Sequence, residues 1–260
     1  MDIIVLLKQV PATESLVAIA DDGLSIKTED LNWVINPYEE FAVEEALRIR
    51  EARGGTVTIV TLGPDKAIEA IRTALAMGAD KGVLINDPVA LAADGLGTAR
   101  ILAAAVGQRH FDLIIAGQRA VDDENFQVGP AVAEFLDIPS ITLVIKEEIS
   151  DGTICCHRTV EGGTVVLEAP LPMLFTTQRG LNEPRYASLP GVMKAKKKPL
   201  ETKTLADLGL DADQFSQPLV SIKAMHLPAE RSGGRIIEGD DAAAKAAELV
   251  RLLHEEAKVI

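Results

Sequence analysis

Cysteine is almost missing from this 260-residue chain, and the two that occur, Cys155 and Cys156, are neighbours. They fall in a strand-like run, where successive side chains point to opposite faces, so they suit neither a disulfide framework nor a metal site. Packing is their expected role. Long apolar stretches are missing as well: none approaches the ~18 residues that span a bilayer. The opening MDIIVLLKQV has an acid at position 2 and no basic segment. The expected location is the cytoplasm. Positive charge is scarce, with 26 Lys and Arg against 39 Asp and Glu, a net charge of −13 and a pI of about 4.8. That excludes a general attraction to nucleic acid or an anionic membrane and leaves room only for a local basic patch.

The usual motifs of stand-alone chemistry are missing too. No GxGxxG follows the first apolar run and neither GxxxxGKS nor GxxxxGKT occurs, which removes the standard dinucleotide and P-loop sites. There is no GxSxG and no HExxH. His110, His157, His226 and His254 share no spacing with acids or cysteines that would make a triad or a metal site. Any chemistry must therefore come through a bound cofactor.

What the chain has, at 47% hydrophobic and 25% charged residues, is enough for a full core and a repeated alternation. Short apolar runs at 3–10, 56–63, 82–87, 112–117 and 140–147 alternate with helical patterns. Near-continuous apolar strands separated by helices predict a parallel sheet covered on both faces, a doubly wound α/β domain. The first helix begins at NPYEEFAVEEALRIREA, with Asn36 as N-cap, Pro37 next and Glu39 completing a capping box. A second follows GP at 63–64 and closes through Gly78; others cover roughly 91–107 and 125–136. In such sheets ligands bind beyond the carboxyl ends of the strands. Three of those ends carry unusual segments: LLKQVPA, TLGPD and AGQRAVDDENFQVGP. The last sets small residues, acids and amides just ahead of a helix N-terminus, where free N–H groups favour a phosphate. Asp122, Asp123 and Asn125 also have a local reading as helix caps.

From about residue 141 the pattern changes. TICCHRTVEGG and TVVLEAPLPMLFTTQ read as a β-hairpin turning at Gly162 and Gly163. Residues 215–240 have prolines and few apolar anchors, which predicts an extended arm. A terminal helix follows, with Ala243, Ala246, Ala247, Val250, Leu253 and Ala257 on one stripe that must dock somewhere.

Four stretches, NPYEEFAVEEALR, VTLGPDKAIEAIRTALAMGADKGV, DLIIAGQRAVDDENFQVGP and LNEPRYASLPGVMKAKKK, resemble the beta subunit of electron transfer flavoproteins, in the same order and over essentially the whole chain. The resemblance implies a mostly parallel, Rossmann-like sheet of the adenine-nucleotide alpha hydrolase type, followed by the hairpin, a recognition loop and the arm. It implies a nucleotide-binding domain over 1–180, a partner-recognition loop over 181–200, and an arm and helix over 201–260 that dock on an alpha subunit. It also implies a bacterial electron carrier that is redox-active only as a heterodimer. The alpha subunit holds the redox FAD; the beta subunit holds a structural AMP, or a second FAD in electron-bifurcating members. The implied partners are dehydrogenases, such as acyl-CoA dehydrogenases, and a membrane quinone oxidoreductase.

Carried over by position, the nucleotide pocket comprises Leu6, Lys8, Asn36, Leu62, Gly63, Asp122, Gln127, Val128 and Gly129. A Cβ at Gly129 is expected to intrude where backbone N–H groups approach a phosphate. Tyr38 corresponds to an aromatic facing the alpha-subunit flavin in relatives, with simple packing as its alternative. Leu189 corresponds to the anchor of the recognition loop, with Lys194, Lys196 and Lys197 as steering charges and Lys198 beside them; a solvated charge run is the alternative. Bifurcating members resemble ADTxATS and DGDTAQVGP where this chain has ADGLGTA (93–99) and DDENFQVGP (122–130). Phe126 replaces a small residue there and is expected to fill volume beside the phosphate loop, which favours AMP. A stand-alone nucleotide-binding signalling protein, needing no arm, and a hydrolase using Asp122 or Asp123 as base stay open as readings of another class.

Overall fold

Ile3 and Val5 face one way, Ile4 and Leu6 the other, and all four are buried. A strand in that position must have layers on both sides, and the computed structural model, which describes residues 1–229 and 233–260, supplies them. In chain order the elements begin with β1 (Asp2–Leu6), β2 (Gln9–Pro11), β3 (Trp33–Ile35), α1 (Pro37–Arg53), β4 (Thr56–Leu62) and α2 (Ile68–Met77). Then come β5 (Lys81–Ile85), α3 (Gly95–Gly107), β6 (Leu113–Gly117), α4 (Val128–Phe135) and β7 (Ser140–Ser150). The chain continues through β8 (Thr153–Val160), β9 (Gly163–Pro170), β10 (Met173–Thr177), α5 (Leu189–Ala195), β11 (Leu200–Lys203) and α6 (Ala242–Glu255).

The main sheet has the order β11-β5-β4-β1-β6-β10-β7-β8-β9. It is parallel from β11 to β7, and only the β7-β8-β9 ribbon is antiparallel. Ile3 and Val5 pack with Leu47, Ile71 and Leu75 of α1 and α2; Ile4 and Leu6 pack with Ile101, Leu102 and Val132 of α3 and α4. The period of two in the strand thus builds two separate cores, one on each face. After β1 the chain adds β4 and β5 on one side, then crosses to the other side of β1 to lay down β6. That reversal opens a crevice at the carboxyl ends of β1 and β6.

The predicted hairpin is present, with Glu161 and Gly162 as its two-residue turn and Gly162 at φ 79°. Its second strand is shorter than TVVLEAPLPMLFTTQ suggests. β9 stops at Pro170, and Met173–Thr177 becomes β10, wholly buried between β6 and β7. β11 pairs with β5, and Leu205, Leu208 and Phe215 join the α3/α4 core.

The chain divides into two units, 1–223 and 224–260. Of the predicted arm, residues 230–232 lie outside the described residues. In the second unit Asp241 caps α6 by accepting from the Ala244 N–H at 2.7 Å. On the predicted stripe Ala243, Ala246, Ala247, Val250 and Ala257 are exposed. No helix among the described residues is long and apolar enough to cross a membrane.

Candidate functional site

The crevice is a cavity of about 400 Å³ lined by the segments that follow β1, β4, β5 and β6. Leu6 and Lys8 border it from β1, Leu62 and Gly63 from β4, and Asp122, Gln127, Val128 and Gly129 from the β6-to-α4 connection. Eight of the nine residues assigned to the pocket by resemblance are therefore brought together.

Asn36 stands behind the wall. It is fully buried, and its side chain makes no cap bond to α1. Its Nδ2 instead donates to Glu39 Oε2 and, at 2.8 Å, to the Arg119 carbonyl, while its Oδ1 accepts from the Val121 N–H at 2.9 Å. The expected capping box is thus replaced by a tie from α1 to the loop after β6. A local cap satisfies one N–H; this arrangement satisfies three polar groups inside the protein.

Lys8 Nζ donates to Asp122 Oδ1 at 2.7 Å and Asp123 Oδ2 at 3.2 Å. Burial pulls its pKa down, but the hydrogen bond and charge of Asp122, helped by Asp123, hold it above the ordinary lysine range. Asp94, also in the lining, caps α3 by accepting from the Gly97 N–H at 2.8 Å and holds the Leu219 N–H at 2.7 Å. These hydrogen bonds, led by that of Gly97, keep its carboxyl below the usual range. α4 has no side-chain cap. Its third residue is Pro130, so the N–H groups of Val128 and Gly129 are the donors left at that end, and among the described residues neither has an acceptor.

Gly129 does not behave as expected. A Cβ there would meet Thr176 Cγ2 at 2.9 Å and then Ala116 and Leu174, all in the core beneath α4. Its smallness lets the helix lie on the sheet; a larger side chain would harm the fold itself. Phe126 is also placed differently. With φ 57° and 44% exposure it does not line the cavity and lies on Arg119, 5.1 Å from guanidinium carbon to ring centre. Tyr38 flanks the same guanidinium at 5.2 Å, with its hydroxyl 2.9 Å from Nη2. Arg119 is thus held by two rings and by Glu124 at 3.3 Å.

Glu39 is the lining residue that sequence reasoning misread. Its position in NPYEE matches a capping pattern, yet its side chain reaches the cavity wall, where it packs on the Cα of Gly117. A Cβ at Gly117 would lie 2.7 Å from the carboxyl carbon, so only glycine admits the acid. Burial pushes its pKa up to about 8, against the lowering effect of the Asn36 hydrogen bond. Nothing local in the sequence signals this, because the neighbours that bury it arrive from β6.

The second candidate region is 181–198. Arg185 fixes its start: Nε and Nη2 donate to Glu44 at 2.8 and 3.0 Å, and Nη1 to Glu51 at 2.5 Å. Ser188 caps α5, and Leu189, the first residue of that helix, is 78% exposed. Lys194, Lys196 and Lys197 are exposed. Lys198 is not part of that set: Nζ donates to the carbonyls of Leu75, Gly78 and Ala79 at 3.0, 3.2 and 2.6 Å, closing the end of α2.

Comparison with known proteins identifies the family. The family model described as "Electron transfer flavoprotein domain" matches residues 23–208. The "Electron transfer flavoprotein subunit beta" of Bacillus subtilis (strain 168) is 44% identical over 261 residues, covering all of both chains. The proteins of that name from Bradyrhizobium diazoefficiens and Thermoanaerobacterium thermosaccharolyticum are 37% and 38% identical, over all of both chains and over 92% of this chain and 93% of the other. The chain belongs to the electron transfer flavoprotein family, as a beta subunit.

Proposed function

We propose that this chain works in the cytoplasm as half of a heterodimer with an alpha subunit, carrying electrons from flavin dehydrogenases, such as acyl-CoA dehydrogenases, to a membrane quinone oxidoreductase. The alpha subunit holds the redox FAD, and this chain holds a structural AMP. The observation that carries the AMP reading is the cavity: about 400 Å³, beyond the strand ends at the topological reversal, with the uncapped start of α4 in its wall. That volume lies at the small end for ligand pockets and suits one adenine nucleotide better than a dinucleotide. The donor set fits as well. The Val128 and Gly129 N–H groups meet a phosphate, and Asp122 is an acceptor for ribose hydroxyls.

FAD supplies the one- and two-electron chemistry when bound; the residues of this chain bind, orient and dock. Tyr38 and Arg119 form a rigid edge beside the cavity. Leu189 offers an apolar anchor to a dehydrogenase and Lys194, Lys196 and Lys197 steer an acidic partner surface. The exposed stripe of α6 suits a permanent subunit contact. The test is to co-purify the heterodimer, denature it and identify the released nucleotides. One FAD and one AMP per heterodimer is expected. Two FAD would replace this reading with a bifurcating one, and a chain that is ordered and nucleotide-bound without an alpha subunit would favour a stand-alone signalling protein.

A further inference from the structure

Glu39 is a carboxyl group in a wall that has just been assigned an anionic ligand, and its burial outweighs what Asn36, its own backbone N–H and the charge of Lys8 offer a carboxylate. It is only 7% exposed. Asn36 Nδ2 gives Oε2 one hydrogen bond, and Oε1 bonds to no other residue among those described. The nearby cations are committed elsewhere: Lys8 to Asp122 and Asp123 from two sides, Arg119 to Glu124. The other ionisable groups facing the cavity, Asp94, Asp122 and Asp123, are all acids. A ligand entering this space removes remaining water from the carboxyl and adds its own negative charge. Both effects oppose a carboxylate there.

We propose that Glu39 is a ligand-binding residue of the cavity, which takes an anionic nucleotide only while the Glu39 carboxyl holds its proton. In that form the group is a hydrogen-bond donor to an acceptor on the nucleotide as well as an acceptor from Asn36. Losing the proton replaces a donor by a like charge in a poorly solvated wall, so retention of the nucleotide depends on pH. The free site already holds this proton through neutral pH, since burial pushes the group to about 8.

This inference rests on the reading of the cavity as a site for an anionic adenine nucleotide, and the experiment separates the two. AMP binding to the nucleotide-stripped heterodimer is measured by calorimetry between pH 7.5 and 9.5. That window lies above the second ionisation of a phosphate, near 6. In the wild type the dissociation constant should rise toward tenfold per pH unit above about 8. In Glu39→Gln, which keeps the amide donor and cannot ionise, it should stay flat and within a few-fold of the wild-type value at pH 7.5. As a second readout, the carboxyl carbon resonance of Glu39 should titrate at higher pH with AMP bound than without. AMP binding with the same pH profile in both proteins, or a flat wild-type profile with no change in the Glu39 titration, overturns the role of Glu39 alone. No AMP binding at any pH overturns the nucleotide reading and this inference with it. Should Glu39→Gln fail to assemble, the wild-type profile and the Glu39 resonance decide.

Discussion

Lys196 and Lys198 are two positions apart and have opposite surroundings, one in solvent and one over three carbonyl oxygens. Replacing Lys198 by Ala should lower stability by about 1–2 kcal/mol, because the end of α2 loses its donor and a favourable charge at the negative end of the helix. Replacing Lys196 and Lys197 by Glu should leave the melting temperature nearly unchanged, since exposed side chains contribute within about 0.5 kcal/mol. The double variant should instead slow association with a dehydrogenase and flatten its salt dependence. Thermal melts and association rates at several ionic strengths check both. A run of four lysines in five positions reads in the sequence as one feature, and only the fold separates the structural one from the rest. Glu39 and Asn36 teach the same lesson. Their local pattern satisfies a capping box, but the partners that outcompete it come from residues 117–121, 78 to 85 positions away.

At the scale of elements, the link between α1 and the 181–198 segment is the most exposed to test. Glu44 lies on α1 with a side chain only 3% exposed, and Arg185 grips it from the segment before α5. Burial opposes its ionisation, but the hydrogen bonds from Arg185, with Arg48, hold its pKa below the usual carboxylate range. The resulting stability is fully present above the unfolded-state value near 4.3 and is lost as pH falls through the lower folded value. Arg185→Ala should therefore cost about 1–3 kcal/mol at pH 7, with the difference from wild type shrinking below pH ~4. Denaturant melts at pH 7 and pH 3 measure it; an equal penalty at both would show that packing of the Arg185 stem, and not the ion pair, is responsible. The parallel strands were legible because burial on both faces leaves continuous apolar runs, and the helices between them because their stripes recur at helical spacing. β10 was not separable from β9, since nothing in TVVLEAPLPMLFTTQ records that its second half leaves the ribbon for a slot between β6 and β7. β11 is four residues long and gains its identity from pairing with β5.

For the whole molecule, the crevice was legible as a place before it was legible as a set of contacts. Alternating strands and helices put the ligand beyond the carboxyl ends of the strands, and the unusual segments LLKQVPA, TLGPD and AGQRAVDDENFQVGP singled out the ends of β1, β4 and β6; the reversal beside β1 became visible only in the fold. The side chains in those loops were less transparent: Gly129 serves the packing of α4, Phe126 serves Arg119, and Asp94 ties α3 to residues 219 and 220. On the proposed function, the cavity of about 400 Å³ and the exposed Leu189 on a well-fixed segment are the two features a carrier would use. The most direct test is stopped-flow reduction of the heterodimer's FAD by a substrate-reduced acyl-CoA dehydrogenase at limiting concentration, comparing wild type with Leu189→Ala. The account predicts that the wild type is reduced and that Leu189→Ala is slowed roughly ten- to a hundredfold, for ~1–3 kcal/mol of lost docking energy. It also predicts unchanged heterodimer formation, FAD content and reduction by dithionite in the variant. Equal reduction rates in an intact variant heterodimer would contradict it, and a variant heterodimer that falls apart would make the segment a subunit-packing element instead.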